Sequence, residues 1–303
     1  MARTIEIVEV GPRDGLQSEA AVLPTELKLE LIRRLSDAGL RRIEVASFVH
    51  PKRVPQMADA EAVMSALPRR EGVQYVALVL NRKGFDRAQA AGCTEIGMVT
   101  AATDSFSTSN QGASVEATLS AWEEIAPLAH AAGIRAQITI SVAFGCPFEG
   151  EVELERVVGM AQRIAAARPL EIALADTIGV AVPPQVSTLV TRVQQVVPQV
   201  PVRCHFHNTR NTAIANAYAA IQAGVNTLDA SIGGLGGCPF APNATGNVAT
   251  EDLLYMLGRA GFETGVRLDA VIETARWLQE QRGQSVPSML SKAGGFPRER
   301  QPR

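Results

Sequence analysis

Short β-branched runs alternate along this chain with longer stretches in which apolar residues recur every three or four positions. The strand-like runs fall at 4–10, 42–47, 74–80, 95–100, 135–142, 170–175, 200–206 and 227–232. Helix-like periodicity lies between them: 26–38 carries Leu27, Leu31, Ile32 and Leu35 on one face, and 114–132, 185–197 and 212–223 repeat the pattern. About eight β–α alternations predict an α/β fold, a single-domain (β/α)8 TIM barrel over 1–287. A doubly wound open sheet is the competing reading. It needs fewer strands and usually a Gly-rich first turn, whereas Gly11-Pro12-Arg13-Asp14-Gly15 is not GxGxxG. The last stretch, 288–303, is rich in Gly, Pro and Arg and reads as a frayed, flexible tail.

Chemistry in a barrel collects at the C-terminal ends of the strands. Unusual polar residues fall there. Arg13 and Asp14 follow the first strand, Glu44 interrupts the apolar second, and Asp176 and Thr177 end the sixth. The seventh ends in His205-Phe206-His207, two of only four histidines in the chain. At i, i+2 on a strand both imidazoles point to one face, where they can hold a divalent metal. Glu44 needs a buried partner, and Arg13 is the candidate. Asp14 and Asp176 could equally cap helices. The loop Gly233-Gly234-Leu235-Gly236-Gly237-Cys238 holds four glycines in five positions, too many for an ordinary turn, and suggests a mobile segment with a reactive thiol. His50, in a loop, and His130, on a helix, read as structural or surface residues.

Composition narrows the partners. The chain has 303 residues, 46% hydrophobic and 20% charged, with a formal net charge of -2, so it offers no basic field for nucleic acid or an anionic membrane. No apolar run approaches the roughly 20 residues that cross a bilayer. The start of the chain shows neither signal nor transit pattern, and the four scattered cysteines, none in CxxC spacing, read as free thiols of a cytoplasmic protein.

Several segments resemble, in order, the hydroxymethylglutaryl-CoA lyase family. They are Val8-Glu9-Val10-Gly11-Pro12-Arg13-Asp14-Gly15-Leu16-Gln17, Ser47-Phe48-Val49 with Val54-Pro55-Gln56-Met57, Gly145-Cys146-Pro147-Phe148-Glu149-Gly150 and Asp176-Thr177-Ile178-Gly179-Val180. The glycine loop itself follows, with Gly246-Asn247 and Ala249-Thr250-Glu251-Asp252-Leu253 after it. The resemblance implies a metal-dependent barrel that cleaves a 3-hydroxyacyl-CoA thioester to acetyl-CoA and a keto acid, acetoacetate for the namesake substrate. It implies Mg2+ or Mn2+ held by Asp14, His205, His207 and Asn247, a donor set that suits an octahedral ion with two positions left open. It implies catalytic roles for Arg13, Asp14, Glu44, His205 and Cys238, with substrate contacts at Gln17, Asp176 and Thr177. Arg13 would face the thioester oxygen as it gains charge, Glu44 would hold Arg13, and Cys238 would deliver a proton to the enolate carbon. The base is either His205 or Asp14.

The chain departs from the family pattern at Asn208, Arg210, Ser18 and Ala20. Asn208 resembles the condensing relatives, isopropylmalate and homocitrate synthases, which would join acetyl-CoA to a 2-keto acid on the same scaffold. The chain reads as too short for the long regulatory domain that many such synthases carry. A non-catalytic barrel that binds CoA esters is a further reading. The expected partner is an acyl-CoA thioester, with no nucleic acid and no membrane, and with a homodimer or higher homo-oligomer among the assemblies open to it. The pathway is open, leucine catabolism among the candidates.

Overall fold

In a computed structural model, which describes residues 3–68, 70–237 and 246–296, the eight expected runs form eight parallel strands. They are β1 (Glu6–Glu9), β2 (Arg42–Ser47), β3 (Gln74–Leu78), β4 (Glu95–Ala101), β5 (Arg135–Ser141), β6 (Ile172–Asp176), β7 (Val202–Phe206) and β8 (Thr227–Ala230). Each pairs with the next in sequence, and β1 closes on β8 with Glu6 opposite Thr227 and Glu9 opposite Ala230. The sheet is therefore a closed barrel, and the open-sheet alternative is excluded. β2 and β6 are buried along their whole length, as expected for strands covered on the outside by helices.

The first helices after the strands follow the periodicity. α1 (Thr25–Asp37) buries Leu31, Ile32 and Leu35 against the outside of the sheet. Three more match the expected spans, α5 (Val115–Ala131), α7 (Pro183–Val196) and α8 (Ala213–Gln222), and among the described residues six further helices complete the outer ring up to α10 (Leu268–Arg282). The Ser114 hydroxyl caps α5 by accepting from the backbone N–H of Ala117, which explains why the helix begins there. Among the described residues no helix is long and apolar enough to cross a membrane.

The expected tail over 288–303 is anchored in its first part, and 297–303 lie outside the described residues. Ser288 is buried, and a short helix, α11 (Leu290–Ala293), packs there because the Asp252 carboxylate accepts from the backbone N–H groups of Met289 and Leu290. Composition missed this because the anchor lies on α9 (Thr250–Arg259), some 40 residues away.

Candidate metal centre and active site

The β1 strand runs directly into a π-helical turn over Gly11–Gly15. The amide N–H groups of Asp14 and Gly15 both donate to the Val10 carbonyl, at 2.7 and 3.2 Å. Such turns concentrate at functional sites because they re-aim side chains. Here the turn points Arg13 and Asp14 into the mouth of the barrel. Its shape is set from below by Glu9, whose Oε1 accepts from the N–H of Gly11 at 2.7 Å and from that of Ile232 at 2.9 Å. The other Glu9 oxygen accepts from the Thr250 hydroxyl at 2.6 Å, so one buried carboxylate ties the ends of β1 and β8 to α9.

Arg13 is clamped between two carboxylates. One guanidinium nitrogen lies 2.8 Å from Asp14 Oδ1 and the other 2.6 Å from Glu44 Oε2. The buried Glu44 thus has the partner its place in an apolar strand demands, although burial still raises its pKa against the pull of Arg13. Asp14 behaves oppositely. Burial disfavours its charge, but Arg13, the two imidazoles and the amide of Asn247 outweigh that and hold the carboxyl down at about 2.

The two histidines lie side by side with ring centres 5.2 Å apart. His205 Nδ1 is 3.0 Å from Asp229 Oδ2, which fixes that nitrogen as the hydrogen-bonded one and leaves Nε2 toward the site. Burial opposes charge on His205, yet the Asp229 contact prevails and raises its pKa. Burial, reinforced by His205, pushes His207 down to about 3, so its ring is neutral at physiological pH.

Asn247 arrives from a distant loop. The segment is stitched alongside the end of β7: the N–H of Asn208 donates to Gly246 O at 2.8 Å, and that of Val248 donates to Phe206 O at 3.0 Å. The Asn247 amide then donates to Asp14 Oδ2 at 2.8 Å and to Leu235 O at 2.9 Å. Its Oδ1 is left buried without a hydrogen-bond partner, as is Nδ1 of His207. Ligand atoms of Asp14, His205 and His207 all lie within 4.8 Å of one another. A carboxylate and two imidazoles this close together, with the orphaned Oδ1 of Asn247 on a side chain hydrogen-bonded to that carboxylate, fit a divalent cation.

Arg13, Asp14, Glu44, His205, His207 and Asp229 line one wall of a cavity of about 830 Å3 at the top of the barrel, and Asn247 lies behind Asp14. Gln17 and Thr177 also line it, and Gln17 Oε1 is buried without a partner. Thr177 Oγ1 accepts from the N–H of Val142. Asp176 is different. Its carboxylate accepts from the N–H groups of Val180 and Ala181 at 2.9 and 3.0 Å and is absent from the cavity wall, so it caps its own loop. Cys238 lies outside the described residues. His50 and His130 are exposed, away from the cavity.

Asp229 was missed by the sequence reading. The signal was available: like Glu44, it is a carboxylate within a strand otherwise apolar at its centre, Leu228-Asp229-Ala230. The family departures also sort themselves. Asn208 Oδ1 accepts from the N–H of Ala213 at the start of α8 (Ala213–Gln222), and Arg210 donates to Ile178 O and Gly179 O. Neither lines the cavity, nor does Ala20. Ser18 does, with its hydroxyl donating to Gly237 O.

A closed barrel whose mouth gathers a cation-binding donor set beside a clamped guanidinium defines a class of metal-dependent enzymes. A family model described as HMGL-like matches residues 4–278, and the chain belongs to that family. It is similar to the cytoplasmic 3-hydroxy-3-methylglutaryl-CoA lyase of Homo sapiens, 42% identical over 289 residues, 95% of this chain and 78% of that protein. It is 41% identical over 300 residues to the (R)-citramalyl-CoA lyase of Chloroflexus aurantiacus, covering 96% of this chain and 95% of that protein. Among solved structures, an HMG-CoA lyase from Acinetobacter baumannii in complex with coenzyme A and 3-methylmalate superposes with a TM-score of 0.94 at 37% identity, covering 99% of this chain and 98% of that one.

Proposed function

We propose that this chain is a carbon–carbon lyase that cleaves 3-hydroxy-3-methylglutaryl-CoA to acetyl-CoA and acetoacetate. The observation that carries the reading is the convergence of Asp14, His205 and His207, with Asn247 hydrogen-bonded to Asp14 and Arg13 fixed beside them by Glu44. The names of the relatives, and coenzyme A in the Acinetobacter baumannii complex, support an acyl-CoA substrate.

A Mg2+ or Mn2+ ion in that donor set would act as a Lewis acid toward the substrate hydroxyl and fix its orientation. The chain's own groups supply the rest. A base takes the hydroxyl proton, the C2–C3 bond breaks, and its electron pair moves into the thioester as an enolate while C3 becomes a ketone. Arg13 is a permanent cation at the oxygen that gains this charge, and Glu44 and Asp14 hold its fork in place. Asp14 is poorly suited as the base, since its neighbours hold it at about 2. His205 is the other candidate, with Nδ1 backed by Asp229, and it can take the proton on Nε2 only if the cation is held by the remaining donors in that step. Cys238, next after Gly237 in the sequence, is assigned the return of a proton to the enolate carbon by the family resemblance. Gln17 and Thr177, on the cavity wall, contact the acyl portion.

The resemblance to condensing synthases rested on Asn208, whose side chain serves the start of α8 and not the cavity. That weakens the acyltransferase reading and leaves the lyase. Three free, buried thiols at Cys93, Cys146 and Cys204 suit the cytoplasm, as do the cytoplasmic forms among the relatives. The test is a panel: purified protein with Mg2+ or Mn2+, 3-hydroxy-3-methylglutaryl-CoA and citramalyl-CoA in parallel, and acetyl-CoA plus 2-keto acids as the condensation arm. Acetyl-CoA release fastest from the methylglutaryl thioester supports the proposal. Faster release from citramalyl-CoA would reassign the substrate, and free CoA only in the condensation arm would overturn the lyase.

A further inference from the structure

The interior of this barrel holds a column of buried charge of which the chemistry above uses only the last member, Asp229. Arg42 Nη2 on β2 is 2.5 Å from Glu95 Oε1 on β4 and 2.8 Å from Oε1 of Glu171, just before β6. The same Glu171 oxygen is 3.3 Å from Arg203 Nε on β7. Arg203 Nη1 is 3.3 Å from Asp229 Oδ1 on β8, whose other oxygen meets His205. Signs alternate along the whole path, and all five ionic residues are buried.

Barrels ordinarily fill this space with layers of Val, Ile and Leu. Buried ion pairs are no more stabilising than apolar packing of similar volume and are often less so. Fold stability alone is therefore a weak reason for the column. Its upper end is the informative part, because it terminates on a ring placed in the metal centre.

We infer that Arg203 is a positioning residue for that centre. Its guanidinium is the only arginine or lysine group within 4.0 Å of the Asp229 carboxylate among the described residues, and Oδ1 has no hydrogen-bond partner. Opposing charge keeps the carboxylate turned so that its second oxygen receives the Nδ1–H of His205. The ring is thereby fixed with Nε2 toward Asp14 and His207. Glu171, sharing one oxygen between two arginines, stops Arg203 from swinging into the cavity, which its side chain borders. The inference rests on the metal-centre reading and deepens it by naming what orients one ligand.

The test is a Mn2+ titration of the metal-stripped protein, following free Mn2+ by electron paramagnetic resonance without substrate. Arg203→Met should raise the dissociation constant about 10- to 100-fold, the usual cost of losing an outer partner of a ligating histidine. Arg203→Lys, which keeps the charge, should recover part of that loss. Asp229→Asn should match Arg203→Met, and the double variant should bind no worse than either single one, because both act through the same ring. Thermal midpoints measured alongside show whether a variant is merely unfolded. If Arg203→Met does not fold, Arg203→Lys and Glu171→Gln carry the test, with losses of about threefold or more expected on the same grounds. Unchanged Mn2+ affinity in a folded variant, additive losses in the double variant, or a changed KM for the thioester alone would overturn the inference. Absence of Mn2+ binding by the wild-type protein would instead overturn the metal centre itself.

Discussion

At the scale of single residues, the site depends on groups that cannot be exchanged for near relatives. Arg13 addresses Asp14 and Glu44 with two different nitrogens, a fork that lysine lacks. Arg13→Gln should lower kcat by roughly 100- to 1,000-fold, the loss typical of a removed charge-stabilising donor, with a circular dichroism spectrum like that of the wild type. A variant with near-normal kcat would contradict the role given to Arg13. Asn247→Ala should remove the one amide oxygen from the donor set and weaken Mn2+ binding, measured by titration, while leaving Arg13 and Glu44 paired; unchanged binding would take Asn247 out of the set. Much of this was legible in the sequence. A carboxylate inside an apolar strand marked Glu44, and the i, i+2 spacing marked the histidines. Asn247 carries no such mark and came only from the family likeness. Asp176 was ambiguous between a cap and a substrate contact, because both uses place an aspartate at the end of a strand.

At the scale of elements, two turns do most to assemble the site. The π-helical turn after β1 reads in sequence as an ordinary Gly-Pro turn. Its geometry comes from Glu9, which is tied to Ile232 and Thr250 more than 220 residues away, so no local pattern could disclose it. A Cβ on Gly11 would meet Glu9 Oε1 and Ile232 Cγ2 at 2.6 Å each. Gly11→Ala should cost about 1–3 kcal/mol of stability by overpacking, read by denaturant unfolding, and should reduce activity more than stability because Arg13 and Asp14 ride on the turn. A variant as stable and active as wild type would show that the contact with Glu9 does not set the turn. The second element is the glycine loop, where Gly246 (φ +94°) lies so close to Gly234 O and Gly236 O that any side chain must displace backbone. Loop mobility was the sequence reading. The described glycines add close packing as a reason for small residues there.

At the scale of the whole molecule, the alternation of patterns announced the closed barrel, and strand positions followed within a few residues. The polar interior was not announced, since charged residues on β2, β4, β7 and β8 and just before β6 look isolated until the barrel closes. Buried carboxyls also shape the pH response. Burial lifts Glu9 and Glu251 to about 7, so each binds its proton more tightly folded than unfolded. Their contribution to stability is complete below the ordinary value of 4.5 and is lost as pH rises through about 7. His207 runs the other way: its contribution is complete above 6.5 and is lost as pH falls toward about 3. The metal-free protein should therefore lose thermal stability from pH 5 to pH 8 along the carboxyl limb, and Glu251→Gln should flatten that limb. A slope as steep in the variant as in the wild type would contradict the assignment.

The central claim is that a divalent cation at Asp14, His205, His207 and Asn247 enables cleavage beside Arg13. The most direct measurement adds 3-hydroxy-3-methylglutaryl-CoA to metal-stripped protein and follows acetyl-CoA and acetoacetate before and after Mg2+ or Mn2+ is supplied. The account predicts no product before addition and equal amounts of the two products after it. Undiminished turnover without metal, or no turnover with it, would contradict the account.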